Sequence, residues 1–335
     1  MTTNETSCPV ALDLDLPHIT VPEVWALDYD ETLGIGRLAS AHLVMVAGRF
    51  GILPYELRAH QREVEAQHRS FNAFPYIKAR LEEMPDGDAR FDAFGQTFLD
   101  EPHSDFMFHD ADPLLAKLNE GKVSPYTVLT YGEGTCRADL LYQATKLAAS
   151  GYYGNAELTT NRDKGPQMDQ WVGPNGTYDF IGRDVAGDPI AVFHARNAAL
   201  VDDKASSLAN LQRQAKGALL IRPGEPRTEK QGYELPASVA NRSRIVSSLG
   251  ELTIEKSYEN AACTTVEPTA HLLSQIVAFE PAAASPDNLN LYIHPGMSFG
   301  EIREAVEQSP AIYAVITRPK MLARVPLRPD QHHGT

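Results

Sequence analysis

Cysteine and tryptophan are scarce: the 335 residues include three Cys and two Trp. Cys8, Cys136 and Cys263 form an odd, widely spaced set without a C-x-x-C pair. That excludes a disulfide framework and offers no zinc-binding spacing. Positive charge is also short, since 30 Lys and Arg face 44 Asp and Glu, for a formal net charge of −14. A diffuse acidic balance lacks the clustered cations that a phosphate backbone or an anionic bilayer demands, so neither nucleic acid nor membrane is an expected partner. No apolar run approaches the ~20 residues that cross a bilayer. The stretch from Met1 to His18 has neither the basic region nor the apolar core of a secretory signal. The expected setting is cytoplasmic and reducing.

The 43% of apolar residues is ordinary for a globular chain. The chain is longer than one core usually serves, which is ~250–300 residues. Its texture divides it. Residues 1–22 are polar, contain proline, and read as a loose tail. Glu23 to Asp28 is a short apolar run ending in acid, the pattern of a buried parallel strand that delivers a side chain at its carboxyl end. Between 38 and 101, apolar residues recur at three- and four-residue spacing, predicting about four amphipathic helices punctuated by Pro54, Pro75 and the turn from Met84 to Asp88.

Strands then alternate with helices. The expected order is a helix over 112–118, strand 126–130, helix 136–150 closed by Gly151, strand 156–160 and helix 165–171. A hairpin turning at Gly187-Asp188 lies between 176 and 194, followed by strand 198–201, helix 205–214 and strand 218–221. Such alternation means βαβ units and a mostly parallel sheet. Beyond 236 the expected elements are a helix over 271–279, strand 289–294, helix 299–308 and strand 311–317, read as a small appended α/β unit.

Open parallel sheets bind ligands beyond the carboxyl ends of their strands. The first strand delivers Asp28, Tyr29, Asp30, Glu31 and Thr32 there. The second delivers Thr130, with Tyr131 and Gly132 following, and the fourth delivers Asp202 and Asp203. Lys164 opens the helix after the third, with Arg162 as a nearby competitor. Clustered carboxylates repel and stay ionised cheaply only around a cation. Hard oxygen donors in small number suit Mg²⁺, and a hydroxyl and an ammonium can serve the oxygens of a phosphoryl group.

Trp25 to Leu33, a strand followed by D-x-D-x-T, resembles the first motif of the haloacid dehalogenase-like superfamily. Val128-Leu129-Thr130 with Gly132 resembles the second, Lys164-Gly165 the third, and Leu200 to Lys204 the fourth, in the family's order over residues 23–222. The resemblance implies an α/β, Rossmann-like three-layer core with a parallel sheet over 23–36 and 106–235. A helical cap over 37–105 would be inserted after the first strand, and a C-terminal extension over 236–335 falls outside the resemblance.

It further implies the phosphatase branch, in which Asp28 is the nucleophile and Asp30 the general acid and base. Thr130, Tyr131, Gly132 and Lys164 would bind phosphate. Asp28, Asp30, Asp202 and Asp203 would hold Mg²⁺, with either of the last two as the ligand. The expected activity is Mg²⁺-dependent hydrolysis of a small phosphorylated metabolite through an aspartyl-phosphate. A phosphomutase, or a non-catalytic binding protein on the same scaffold, are the alternatives, and the oligomeric state is left open.

Blander roles compete for other residues. Phe71, Phe74, Tyr76, Phe91, Phe94 and Phe98 are expected to be core rather than substrate contacts. His60, His68 and Arg69 are expected at the surface. Asp13-Leu14-Asp15 repeats the carboxylate spacing but lacks a preceding apolar strand.

Overall fold

The computed structural model describes residues 16–66, 71–101, 104–119, 125–132, 137–159, 163–184, 187–212, 214–223, 234–254, 278–281 and 288–308. The central sheet is built on β1 (His18–Leu27), β2 (Tyr126–Tyr131), β3 (Gly154–Thr159), β5 (Pro189–Asp202), β6 (Ala215–Leu220) and β7 (Ser243–Val246), all parallel, in the order β7-β6-β5-β1-β2-β3. The last residues of β1, β2 and β5 are almost wholly buried, as strands covered on both faces must be. Helices lie on both faces, giving the Rossmann-like α/β arrangement that the sequence implies.

After β1 come four helices: α1 (Gly36–Arg49), α2 (Pro54–Ala66), α3 (Ala73–Glu82) and α4 (Gly87–Asp100). Phe74, Phe91, Phe94 and Phe98 are fully buried and Phe71 and Tyr76 partly so, which makes these aromatics packing groups. His60 stacks on Tyr76 with ring centroids 4.5 Å apart. Helices α5 (Ala111–Asn119), α6 (Arg137–Ala149) and α7 (Lys164–Asp169) follow in the expected places. Gly151 ends α6 at φ +76°, a left-handed value that glycine adopts without cost.

Five expectations need correction. The chain from His18 onward is strand, not tail, because Ile19 and Val21 point inward and β5 supplies partners from Val192 to Ala195. The hairpin exists, with β4 (Tyr178–Arg183) antiparallel to β5, but its second strand and the expected strand at 198–201 are one continuous strand. The helix expected over 205–214 is a single 3-10 turn, Ala205–Leu208, in a stretch where Ser206, Ser207 and Asn210 are residue types that favour caps and turns over helix interiors.

Ala278 and Phe279, expected in a helix, belong to β8 (Ala278–Pro281), which pairs with β4. Finally, the C-terminal elements are not an appended unit. β9 (Asn288–Ile293) joins the main sheet antiparallel to β3, and α8 (Phe299–Gln308) packs on α4 and α6. There the Phe299 ring fills the space a side chain at position 95 would need; a Cβ on Gly95 would lie 2.3 Å from its Cγ. The expected strand 311–317 and residues 271–277, Cys8, Asp13, Asp15, His68, Arg69, Cys136, Arg162 and Cys263 lie outside the described residues. No helix among the described residues is long and apolar enough to cross a membrane.

Candidate active site

The register of three strands assembles the site. Leu27 pairs with Val128 on one side and Val201 on the other, and the Asp28 N–H continues the ladder by donating to the Val201 carbonyl at 2.9 Å. Asp28 and Asp202 therefore emerge side by side at the carboxyl edge. Asp203 follows, and one carboxylate oxygen from each of the three lies within 4.8 Å of the others. All three are buried, Asp202 completely.

Lys164, at the first position of α7, is 3% exposed and inserts its ammonium among them. It donates to Asp28 Oδ1 and to Asp202 Oδ2, the latter at 2.7 Å. Gly165 lets α7 come this close: a Cβ there would lie 2.6 Å from the Asn210 carbonyl carbon. Lys164 thus reaches two of the three acids, while its competitor Arg162 lies outside the described residues. The Asp202 side chain also accepts from the Lys204 N–H at 2.8 Å, and Lys204 Nζ stands 3.9 Å from Asp203.

Burial raises the Asp28 carboxyl to about 6, with Lys164 opposing and Asp202 adding to the rise. Burial raises Asp203 to about 8, reinforced by Asp28. Burial alone would push the Lys164 ammonium down, but Asp202 and Asp28 together hold it well above its ordinary value. Three buried carboxylates against two ammonium groups, Lys164 and Lys204, carry excess negative charge. Their hard oxygen donors are the chemistry of a divalent-cation site. Asp28, Asp202 and Asp203 fit such an ion.

The loop after β1 is tightly wound. The Tyr29 carbonyl accepts from Leu33 and Gly34 at 2.9 and 2.7 Å, and Glu31 takes a left-handed φ of +60°. A glycine would suit that backbone better. The Glu31 carboxylate compensates by accepting from the N–H groups of Gly36 and Arg37 at the start of α1. Gly34 is obligatory in another sense, as a Cβ there would lie 2.4 Å from the Tyr29 ring. Thr32 donates its hydroxyl to Asp28 Oδ2 at 3.3 Å.

Asp30 turns to a different cation: Lys146 of α6 donates to both its oxygens, at 2.5 and 2.7 Å. Thr130 is buried at the same carboxyl edge of β2, paired with Leu158 of β3, and half-buried Tyr131 follows, paired with Thr159. The Gly132 N–H donates to the Thr159 carbonyl at 2.8 Å, and its missing side chain admits Leu140 of α6. Its contribution is space for α6, since its amide is spent on the backbone.

Two supporting residues escaped the sequence reading. Arg222 donates to the Thr32 carbonyl and to Asp110 Oδ2, both at 2.7 Å, and stacks 3.8 Å over Phe108. It ties the Asp28 loop to the end of β6. Lys146 is the other. A lysine four residues after Tyr142, on a helix whose residues there are mostly buried, is not marked by any local signal in the sequence.

No protein-family model matches the sequence, and no curated protein does. Among solved structures, a haloacid dehalogenase-like hydrolase from Burkholderia xenovorans is 15% identical over 67% of this chain and 94% of its own, at a TM-score of 0.42. The HAD-hydrolase YfnB from Bacillus subtilis, bound to magnesium, is 12% identical over 69% and 96%, at 0.35. A β-phosphoglucomutase from Thermotoga maritima is 13% identical over 68% and 94%, at 0.34. These are likenesses of fold. Independently of them, four motifs in order and the convergence of Asp28, Lys164, Asp202 and Asp203 on one sheet edge make this chain similar to the haloacid dehalogenase-like hydrolases.

Proposed function

We propose that the protein is a Mg²⁺-dependent phosphohydrolase acting on a small phosphorylated metabolite. The observation that carries this reading is the buried set of Asp28, Asp202 and Asp203 with the Lys164 ammonium threaded between them. A bound Mg²⁺ would supply charge neutralisation to the phosphoryl oxygens and the carboxylates. Asp28, Asp202 and Asp203 would hold it, together with the backbone carbonyl of Asp30.

The chain's own groups divide the reaction. Asp28, held by Lys164 at one oxygen and Thr32 at the other, attacks phosphorus as the ester P–O bond breaks. The departing oxygen takes its proton from Asp30. A water then attacks the phosphorus of the aspartyl-phosphate, passes its proton to Asp30, and releases Asp28 and inorganic phosphate. Lys164 and the Thr130 hydroxyl face the phosphoryl oxygens, Tyr131 borders them, and the helices α1–α4 shield the site from bulk water and set which metabolite enters.

Hydrolysis of p-nitrophenyl phosphate, with Mg²⁺ and with EDTA, tests the reading. Turnover with Mg²⁺ and its loss with EDTA are expected; no turnover in either overturns it. A panel of phosphorylated metabolites then narrows the substrate, and an isomeric sugar phosphate as product would identify a mutase instead.

A further inference from the structure

Lys146 is a buried lysine near the end of α6, 2% exposed. Its ammonium lies 5.1 Å from the Tyr29 ring and 5.3 Å from the Tyr142 ring, between two aromatic faces. Burying an ammonium is costly unless a carboxylate meets it, and the carboxylate that meets this one is Asp30. Lys146 side-chain exposure is 3% against 31% for Asp30, so the anchor is fixed in the interior while the acid keeps an open side.

The geometry is that of a clamp. Both Asp30 oxygens are engaged by one nitrogen, and that nitrogen is itself held by packing on Tyr29 and Tyr142. Tyr29 adjoins Asp30 in sequence, and its ring is pressed against Gly34, so loop and helix fix each other. Asp30 and the Asp28–Asp202 pair sit on different cations: Lys164 serves those two, Lys146 serves Asp30.

We infer that Lys146 is a positioning residue that fixes the Asp30 carboxylate for proton transfer, acting through Asp30 and not on the substrate. The inference rests on the phosphohydrolase reading above. Asp30 stands in a loop, and a carboxylate free to rotate there would spend little time in line with the leaving oxygen or the attacking water. Misplacement by about 1 Å costs ~10²-fold in rate.

The test is a mutant cycle on p-nitrophenyl phosphate and an alkyl phosphate, using K146M, K146R, D30N and the double variant K146M/D30N. K146M is expected to lower kcat ~10–100-fold with KM little changed, and K146R to recover part of the loss. In the D30N background, K146M is expected to cost nothing further, since the group it positions is gone. The Mg²⁺-induced rise in Tm is expected to match wild type. Wild-type kcat in K146M, additive losses in the double variant, or a lost Mg²⁺ response would overturn the inference while leaving the hydrolase reading intact. An inactive wild-type protein would overturn both. Where K146M does not fold, K146Q is read in the same way, and loss of fold in both assigns Lys146 to the core and overturns the inference.

Discussion

Lys164 bridges Asp28 and Asp202: one ammonium, 3% exposed, donates to carboxylates that end two neighbouring parallel strands. The bond makes the start of α7 part of the same edge as β1 and β5. Removing the ammonium leaves buried acids facing one another.

Lys164→Met is therefore expected to destabilise the metal-free protein by about 3–5 kcal/mol, the usual cost of deleting one partner of a buried ion pair. Urea unfolding in EDTA measures it. An unchanged midpoint would mean that the Asp28 and Asp202 carboxylates are not held by this lysine.

The acids also set a pH dependence. Burial raises Asp28 to about 6 and Asp203 to about 8, from an ordinary 3.8. Between 3.8 and those values the folded protein holds protons that the unfolded chain has lost, so stability falls as pH rises through this window. The metal-free protein is expected to lose Tm between pH 5 and pH 8. A cation that replaces those protons should raise Tm more at pH 8 than at pH 5.5. Thermal melts with EDTA and with Mg²⁺ at both pH values check this, and an equal Mg²⁺ effect at the two would contradict it.

Phe299 is the pin that joins the C-terminal helix to α4. It is fully buried, contacts the Gly95 backbone, and meets Phe91 with ring centroids 5.3 Å apart. Phe299→Ala is expected to cost about 3–5 kcal/mol. Gly95→Ala, which drives a methyl into the ring, is expected to cost about 1–3 kcal/mol. Denaturant melts of both variants decide, and a loss below about 1 kcal/mol for Phe299→Ala would show the pin to be dispensable.

Much of this was legible in the chain. Apolar runs ending in Asp28, Thr130 and Asp202 mark the strands, because parallel strands buried on both faces cannot alternate. The three- and four-residue spacing over 38–101 marks the four helices. What was hidden depended on distant partners. Nothing local distinguishes His18 to Val21 from a tail until β5 lies beside it. The continuity of β5 was masked because its first half alternates and its second half does not. The place of β9 at the edge of the main sheet depends on β3, about 130 residues earlier in the chain. Lys146 is the clearest case: its partner Asp30 is 116 residues away, and nothing local in the sequence marks it.

The central claim is that Asp28 is the nucleophile of a metal-dependent phosphoryl transfer, and Asp28→Asn tests it most directly. The substitution keeps the size of the side chain and removes the attacking anion. With p-nitrophenyl phosphate and Mg²⁺, the variant is expected to lose at least ~10³-fold in kcat while keeping a cooperative melt that still responds to Mg²⁺. Turnover by Asp28→Asn at the wild-type rate would contradict the account.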